Sequence, residues 1–209
     1  MAHLAAVVAP VVRPRERTDE SLLLDYRSTG SAVFFGELVR RYQGELFGYL
    51  RRFLGDAGAA EDAFQGTFLQ VHLKRHQFDE GRRVRPWLYT IATNQAIDAQ
   101  RRNRRHRMLS LDLDRPSHAS TDEVNTLLDL LIERGSDPSA RLELEEELDW
   151  VRAAIDDLPT GLKAAITLVY FQGLRYREAA EVMAVPVGTV KSRVHAAILR
   201  LCEAWTQRG

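Results

Sequence analysis

The chain has 209 residues, 45% of them hydrophobic, and its 29 basic and 29 acidic side chains cancel to a formal net charge of zero. This composition excludes a wholly disordered chain, and no apolar run approaches the ~18 residues of a membrane span, so no membrane insertion is expected. The single cysteine, Cys202, excludes an internal disulfide framework and a cysteine-based zinc site, and it favours a reducing, cytoplasmic location.

Charge is distributed unevenly along the chain even though the total is zero. Residues 74–107 carry ten Lys or Arg and three acids, residues 108–157 carry four Arg and fourteen acids, and residues 158–209 carry seven basic residues and three acids. The chain therefore alternates basic, acidic and basic blocks, each with its own electrostatic field. The net charge alone would argue against a nucleic-acid partner, but the two basic blocks favour one.

The first eighteen residues predict a disordered N-terminal tail. Their apolar stretch, MAHLAAVVAPVV, resembles a signal peptide only superficially. No basic residue precedes it, Pro10 interrupts it, and Arg13, Arg15 and Arg17 follow it. That is the wrong charge order for export.

A helical pattern dominates residues 19–107 and predicts an N-terminal helical domain. Ser31 is placed to cap a helix whose apolar face repeats every three or four residues as far as Leu50. The sequence Gly-Asp-Ala-Gly at 55–58 breaks this helix, and a second helix is expected from about Ala59 to His76. After a turn at 78–81, a third long helix begins around Pro86 and enters an arginine cluster.

Aromatic and basic residues are interleaved from 78 to 107, a combination typical of single-strand binding. Phe78, Trp87 and Tyr89 offer ring faces for unpaired bases, while eight arginines between 82 and 107 can meet phosphates. Core packing is the alternative for the aromatic rings, and the sequence leaves both possibilities open. Four polar residues share a helix face and can bond to backbone or base edges: Asn94, Asp98, Arg101 and Arg102.

Residues 108–140 predict an acidic, flexible linker, because their composition shifts towards Asp, Ser, Pro and Leu. Residues 122–134 have helical spacing and could form a short helix within it. A second domain is predicted from 141 to 209, beginning with an acidic helix that ends at Leu158-Pro159. Since no β pattern of convincing length occurs, the predicted fold class is all-α, with two small helical domains on a flexible linker.

The last forty residues predict a helix-turn-helix. A short helix over Tyr176–Met183 stops at an Ala-Val-Pro break, and a second helix runs from about Pro186 to Leu201, since proline suits a first helical turn. Aliphatic residues recur on the second helix as a buried stripe. Its other face presents Thr189, Lys191, Ser192, Arg193 and His195. This arrangement is typical of a helix that enters a DNA major groove, and an ordinary helical hairpin is the alternative.

The other sequence patterns predict neither a metal site nor a catalytic site. His72 and His76 have the spacing to chelate a metal on a helix, but no third ligand lies near them in sequence, so no metal site is expected. His195 and Cys202 lie on one helix face without a motif that would make them base and nucleophile. Since no catalytic constellation emerges, we expect neither enzymatic activity nor a cofactor.

Three stretches of the chain carry a family resemblance, in this order: AAEDAFQGTFLQVH, RPWLYTIATNQAID and VPVGTVKSR. Through them the chain resembles the bacterial RNA polymerase sigma factors of the extracytoplasmic-function (ECF, group 4) type. The resemblance covers about residues 20–107 and 141–205. It implies two helical domains, σ2 and σ4, which bind core RNA polymerase in the cytoplasm and direct promoter-specific transcription initiation. It also implies promoter DNA and an anti-sigma protein as partners.

The resemblance assigns three groups of residues. Docking on the clamp helices of the largest polymerase subunit would involve Glu61, Asp62, Gln65 and Phe68. The −10 element would be recognised and opened by σ2, whose loop 78–85 captures a flipped base, through Phe78, Arg82, Arg83, Arg85, Trp87, Asn94, Asp98, Arg101 and Arg102. The −35 duplex would meet σ4 at Arg175, Tyr176, Arg177, Thr189, Lys191, Ser192 and Arg193. The acidic linker would follow the RNA exit path.

The chain departs from the family pattern at several positions. Gly66 stands where the docking helix usually has a glutamate, His72 replaces a common tryptophan, and Ala184 replaces the turn glycine of σ4. Ala196 and Ile198 stand where arginines are frequent, which removes phosphate contacts and predicts weak DNA affinity for free σ4. Tethering by polymerase would then supply the effective concentration.

Two other functions fit parts of the sequence. A stand-alone helix-turn-helix regulator would bind a palindromic operator tightly, usually as a dimer, but it leaves the basic-aromatic segment 78–107 without a purpose. A helical adaptor that titrates an anti-sigma protein would share the family pattern without supporting transcription. Binding to core polymerase distinguishes a sigma factor from both.

Overall fold

The computed structural model describes residues 14–109 and 150–207, with side chains described for 14–103 and 150–207. Within these ranges the regular elements are all helical and no strand occurs, which confirms the all-α prediction. Residues 1–13 of the predicted tail, residues 110–140 of the predicted linker and residues 141–149 of the second domain lie outside the described part. The short helix considered for 122–134 lies outside it as well.

Four helices build the N-terminal domain: α1 Asp19–Thr29, α2 Ala32–Leu54, α3 Ala57–Lys74 and α4 Val84–Leu109. Helix α4 packs against the other three, and its apolar side chains meet theirs in a common core. The largest fully buried side chains of this core include Tyr49, Tyr89, Phe53 and Phe78. Full burial of one such aromatic side chain stabilises the fold by about 1.5–3 kcal/mol.

Local hydrogen bonds fix where these helices begin and end. The side chains of Thr18 and Asp56 accept from the backbone N–H groups of Ser21 and Ala59, which caps α1 and α3. Gly30 ends α1 and Gly55 ends α2 in the left-handed conformation that glycine adopts without strain. The sequence predicts a Ser31 cap for α2, but the Ser31 side chain makes no capping hydrogen bond.

The guanidinium of Arg41 anchors the segment that precedes α1. It donates to the carbonyls of Pro14, Arg15 and Arg17 and to the Asp19 carboxylate, at distances between 2.7 and 3.2 Å. Pro14–Glu16 form a short 3-10 turn at this anchor. Residues 14–18, predicted as part of a disordered tail, are therefore packed against α2.

The described part of the C-terminal domain comprises helical residues 150–156 (α5), α6 Thr160–Ile166, α7 Tyr176–Met183 and α8 Val187–Thr206. Between α6 and α7 the helix widens into a π-helical segment, Thr167–Phe171. The predicted bounds of α7 are confirmed. Helix α8 extends five residues beyond the predicted end at Leu201.

The turn between α7 and α8 depends on Ala184. This residue has a φ of 51°, in the left-handed region that favours glycine, and the N–H of Val185 donates to the carbonyl of Ala180 to close the helix. For a residue with a Cβ this conformation costs about 1–2 kcal/mol. The packing of α7 against α8 must offset that cost.

The two domains share a continuous apolar core. Helix α4 of the N-terminal domain packs against α7 of the C-terminal domain, and one cluster of buried residues includes side chains from both. Leu168, Leu174 and Ala179 contribute from the C-terminal side. The described helices of the two domains are therefore packed directly against each other.

We expect Glu37→Gln to weaken the dependence of the unfolding free energy on pH in the acid range. Hydrogen bonds from Arg40 and then Arg41 lower the pKa of Glu37 from 4.5 to about 2. A lowered pKa contributes stability above the unfolded value of 4.5, and this contribution is lost as the pH falls towards 2. The measurement is urea unfolding at pH values from 6 down to about 2.

The control for this experiment is Glu203→Gln, which alters an exposed carboxylate on α8. The control should keep the wild-type slope of unfolding free energy against pH. An unchanged slope in Glu37→Gln would contradict the role of the arginine pair.

Candidate nucleic-acid interface

The loop that precedes α4 is hydrogen-bonded to α1. Arg27 donates to the carbonyl of Phe78 at 2.9 Å and to the carboxylate of Glu80 at 2.8 Å. Glu20 accepts from the N–H of Val84 at the start of α4. Gly81, with a φ of 93°, makes the turn that only glycine adopts freely. The loop therefore has a defined shape before any ligand arrives.

The aromatic residues of this segment pack in the core. Phe78 is 1% exposed and lies edge-on to Trp87, with ring centroids 5.3 Å apart, and Tyr89 is fully buried. These positions match the core-packing alternative that the sequence left open. In this conformation the rings of Phe78 and Tyr89 do not present a face on which a base could stack.

The three basic residues of segment 78–85, two in the loop and one in the first turn of α4, have different surroundings. Arg82 is exposed, with only a loose 3.9 Å approach to Asp79. Arg83 forms a 3.4 Å ion pair with Glu178 of α7, and Arg85 donates to Glu45 and to the carbonyl of Gln172. The Arg82 and Arg83 side chains are 50% and 69% exposed and Arg85 is 37% exposed, so the first two are the more available to a phosphate.

The polar face of α4 forms a shallow surface depression. Gln95, Asp98, Arg101 and Arg102 line it, and Asn94 is exposed beside it. The Asp98 carboxylate lies 3.7 Å from the Arg101 guanidinium, so the depression carries both an acid and a base. The structure therefore brings together the predicted residues of this face, and their alternation of acceptors and donors suits base edges and phosphates.

Helix α3 exposes three of its four predicted docking residues. Glu61, Asp62 and Gln65 are exposed, whereas Phe68 is buried, with its ring 5.1 Å from that of Phe64. The same helix also exposes two leucines, Leu69 and Leu73, each to more than half. This pair is not among the predicted docking residues, although both leucines fall outside the buried stripe of α3 and helical spacing identifies them.

Gly66 permits a close approach between α3 and α4. A Cβ atom at this position would lie 2.8 Å from Oε1 of Gln95, closer than real contacts allow. The Gln95 side chain therefore occupies the space that a side chain at position 66 would enter. The sigma factors that this chain resembles usually have a glutamate at that position. The two residues are therefore coupled, because the missing side chain at Gly66 makes room for Gln95.

In the C-terminal domain the predicted duplex-binding residues divide into two groups. Arg175 lies just before α7, Tyr176 and Arg177 begin it, and all three are exposed. Lys191 and Ser192 of α8 are also exposed, and the Lys191 ammonium lies 6.0 Å from the centre of the Tyr176 ring. Thr189 and Arg193 are half-buried. The Arg193 guanidinium lies over Gly161 of α6, where an added Cβ would meet it at 3.4 Å.

His72, considered in the sequence as a metal ligand, has structural partners. His72 forms a hydrogen bond with the hydroxyl of Tyr26, and its ring packs edge-on to Phe35. Within residues 14–109 and 150–207, no group of three or more potential ligands could hold a metal ion. None of the helices in these ranges is long and apolar enough to cross a membrane.

Comparison with protein families matches both domains. Residues 38–106 match the family described as Sigma-70 region 2, and residues 148–201 match Sigma-70, region 4. The ECF RNA polymerase sigma factor SigW of Bacillus subtilis is 30% identical over 79% of this chain and 86% of its own length. The ECF RNA polymerase sigma-E factor of Haemophilus influenzae is 33% identical over 86% of this chain and 91% of its own.

Two solved structures share the fold. CnrH, in complex with the cytosolic domain of CnrY, aligns with a TM-score of 0.63 and 25% identity, over 91% of this chain and 99% of its own. The sigma factor RpoE of Bartonella quintana, in complex with the anti-sigma factor NepR, aligns with a TM-score of 0.62 and 23% identity, over 82% of this chain and 96% of its own.

The close approach at Gly66 gives a test of the α3–α4 packing. Gly44→Ala, where an added Cβ meets nothing within 4 Å, should stabilise α2 by up to about 1 kcal/mol. Gly66→Ala should raise the free energy of unfolding by less than this, because Gln95 must move. In a Gln95→Ala background the full gain should return. Denaturant unfolding measures the unfolding free energies of wild type and of the four variants, and an equal effect of Gly66→Ala in both backgrounds would contradict the proposed contact.

Proposed function

Because the chain belongs to the ECF sigma factors of the sigma-70 family, it directs transcription initiation as a sigma factor, and we propose the roles of its surfaces in that process. The observation that carries the proposal is the placement of two separate polar surfaces on one chain. One lies on the 78–85 loop and α4, and the other on α7 and α8. We propose that the first acts on the −10 element and the second on the −35 duplex.

In the proposed mechanism the protein reads DNA and catalyses no bond change. Lys191, Ser192 and the start of α7 contact the −35 duplex, while Arg82, Asn94 and Asp98 meet the strand that opens at −10. Capturing an extruded base costs a few kcal/mol of unstacking, which contacts in the loop must offset. Since Phe78 and Trp87 are buried, we assign them the support of this loop in the conformation described.

The exposed face of α3 is the proposed docking surface for core polymerase. Glu61, Asp62 and Gln65 supply polar contacts, and the neighbouring Leu69 and Leu73 supply apolar area that water would otherwise cover. Exposed apolar side chains beside charged ones are typical of a protein interface. Phe68 would support this face from the core.

We further propose an anti-sigma protein as a regulatory partner and the cytoplasm as the site of action. The related CnrH was solved with the cytosolic domain of CnrY bound, at 25% identity over nearly its whole length. Core polymerase, on which sigma factors act, is cytoplasmic.

Reversing one charge on α3 should weaken polymerase binding. Asp62→Lys replaces an exposed carboxylate, so we expect at least a tenfold loss in affinity for purified core RNA polymerase, with an unchanged circular dichroism spectrum. Fluorescence-detected binding of the full chain measures it. Glu203→Lys, an equal reversal on exposed α8, is the control. Wild-type protein that does not bind core polymerase would instead favour a stand-alone regulator or an adaptor.

Two substitutions should separate strand opening from initial binding. Arg82→Ala and Asn94→Ala remove exposed groups of the proposed −10 surface, and we expect roughly tenfold less permanganate reactivity of the opened strand with a smaller loss of closed complex. The holoenzyme is assayed on promoters recovered by in vitro transcription of a genomic fragment library. Arg200→Ala, at an exposed position of α8, serves as control. Equal losses in both assays would contradict the assignment.

A further inference from the structure

The side chain of Gln95 extends from α4 across to α3. A Cβ atom added at Gly66 would meet its Oε1 at 2.8 Å, its Cδ at 3.4 Å and its Cγ at 3.9 Å, so three successive atoms of Gln95 cover the glycine. Gly66 and Gln95 are both half-buried, which leaves part of this contact open to solvent. A residue of α4 therefore contributes to the surface of α3.

Gly66 lies within the face of α3 that we propose as the docking surface. Residues three or four apart in a helix are neighbours on one face, so Asp62 precedes Gly66 by one turn and Leu69 follows it by one turn. Asp62 is exposed, and Leu69 is 57% exposed. The glycine alone would leave a gap between this acid and this leucine. The amide end of Gln95 fills that gap.

The Gln95 amide is available to a binding partner. An amide group carries two N–H donors and an oxygen acceptor. The amides of Gln65 and Gln100 are engaged, the first with Glu61 and the second with the hydroxyl of Thr160. Within residues 14–103 and 150–207, the Gln95 side chain takes part in no hydrogen bond. Packing on Gly66 therefore positions an amide whose hydrogen-bonding groups remain unused by these residues.

The charge around Gly66 favours a protein partner over a nucleic acid. Residues 57–71 of α3 contain two acids, Glu61 and Asp62, and no Lys, Arg or His. Carboxylates repel the phosphates that dominate nucleic-acid affinity. The exposed apolar surface of Leu69 beside them is typical of a protein interface.

Gln95 also borders the depression on α4 that Asp98, Arg101 and Arg102 line. The two arginines lie six and seven residues after Gln95, which is about two helical turns. The amide oxygen of Gln95, in contrast, lies over Gly66 of α3. Gln95 thus stands at the boundary between the proposed docking and strand-binding surfaces, with its amide end on the docking side.

We propose that Gln95 is a polymerase-binding residue, supplied by α4 to a docking face that α3 leaves incomplete at Gly66. The proposal rests on the docking role assigned to α3 above. The amide forms a hydrogen bond with a polar group of core polymerase, next to the apolar contact made by Leu69. Glycine at position 66 is part of this arrangement, because a side chain there would enter the space of the amide.

The test moves the amide from one helix to the other. Gln95→Ala removes it, and Gln95→Ala with Gly66→Gln returns an amide to the same space from α3. Gln95→Ala with Gly66→Ala adds a Cβ without an amide. The matched control is Gln43→Ala on α2, an exposed glutamine beside Gly44, where an added Cβ meets nothing within 4 Å.

Fluorescence-detected binding of each full chain to purified core RNA polymerase is the measurement, with circular dichroism to verify the helical fold. We expect Gln95→Ala to bind about fivefold more weakly, the effect of one interfacial hydrogen bond, and the glutamine exchange to recover most of this loss. The alanine pair should remain weak, and Gln43→Ala should match wild type.

Four results would each overturn the proposal: wild-type affinity in Gln95→Ala, no recovery in the glutamine exchange, equal recovery in the alanine pair, or equal weakening in Gln43→Ala. Normal polymerase binding with lost permanganate reactivity in Gln95→Ala would assign the residue to the promoter strand instead. Asp62→Lys distinguishes the two levels of failure. It keeps wild-type affinity if the docking role of α3 is wrong, and it binds weakly if only the role of Gln95 is wrong.

Discussion

The packing of helix α4 is the constraint on which the rest of the structure depends. One side of this helix completes the core of the N-terminal domain against α1, α2 and α3, and it also receives α7 of the C-terminal domain. Its polar side carries Asn94, Asp98, Arg101 and Arg102. A single helix therefore links core stability, domain association and the proposed DNA surface, so that changes on its buried side reach the other two.

Much of the fold could be predicted from local patterns. Helix α7 and the start of α8 follow from apolar spacing and the Ala-Val-Pro break, and the break before α3 follows from Gly55. The Ser31 cap could not be judged locally, because a serine at an N-cap position can leave its side chain unbonded. The anchor at Arg41 was also hidden, since it joins groups 22–27 residues apart.

The candidate surfaces could be predicted only in part, because they too depend on contacts between residues distant in sequence. Exposed residues of α4 and of the loop followed from charge and helical spacing, whereas the burial of Phe78 and Trp87 depends on the core that all four helices of the domain form together. Arg83 and Arg85 look equivalent to Arg82 in the sequence. Only the position of Glu178 and Gln172, nearly a hundred residues later, makes the three cations different.

Arg27 anchors segment 78–80 through the Phe78 carbonyl and the Glu80 side chain, which lowers the conformational entropy that ligand binding has to remove. A loop that must be ordered by its ligand loses conformational entropy at the moment of binding, which weakens the complex. Here the carbonyl of Phe78 and the carboxylate of Glu80 are already fixed by one guanidinium of α1. The ordering cost is met when the protein folds, so each later encounter begins from a preorganised shape.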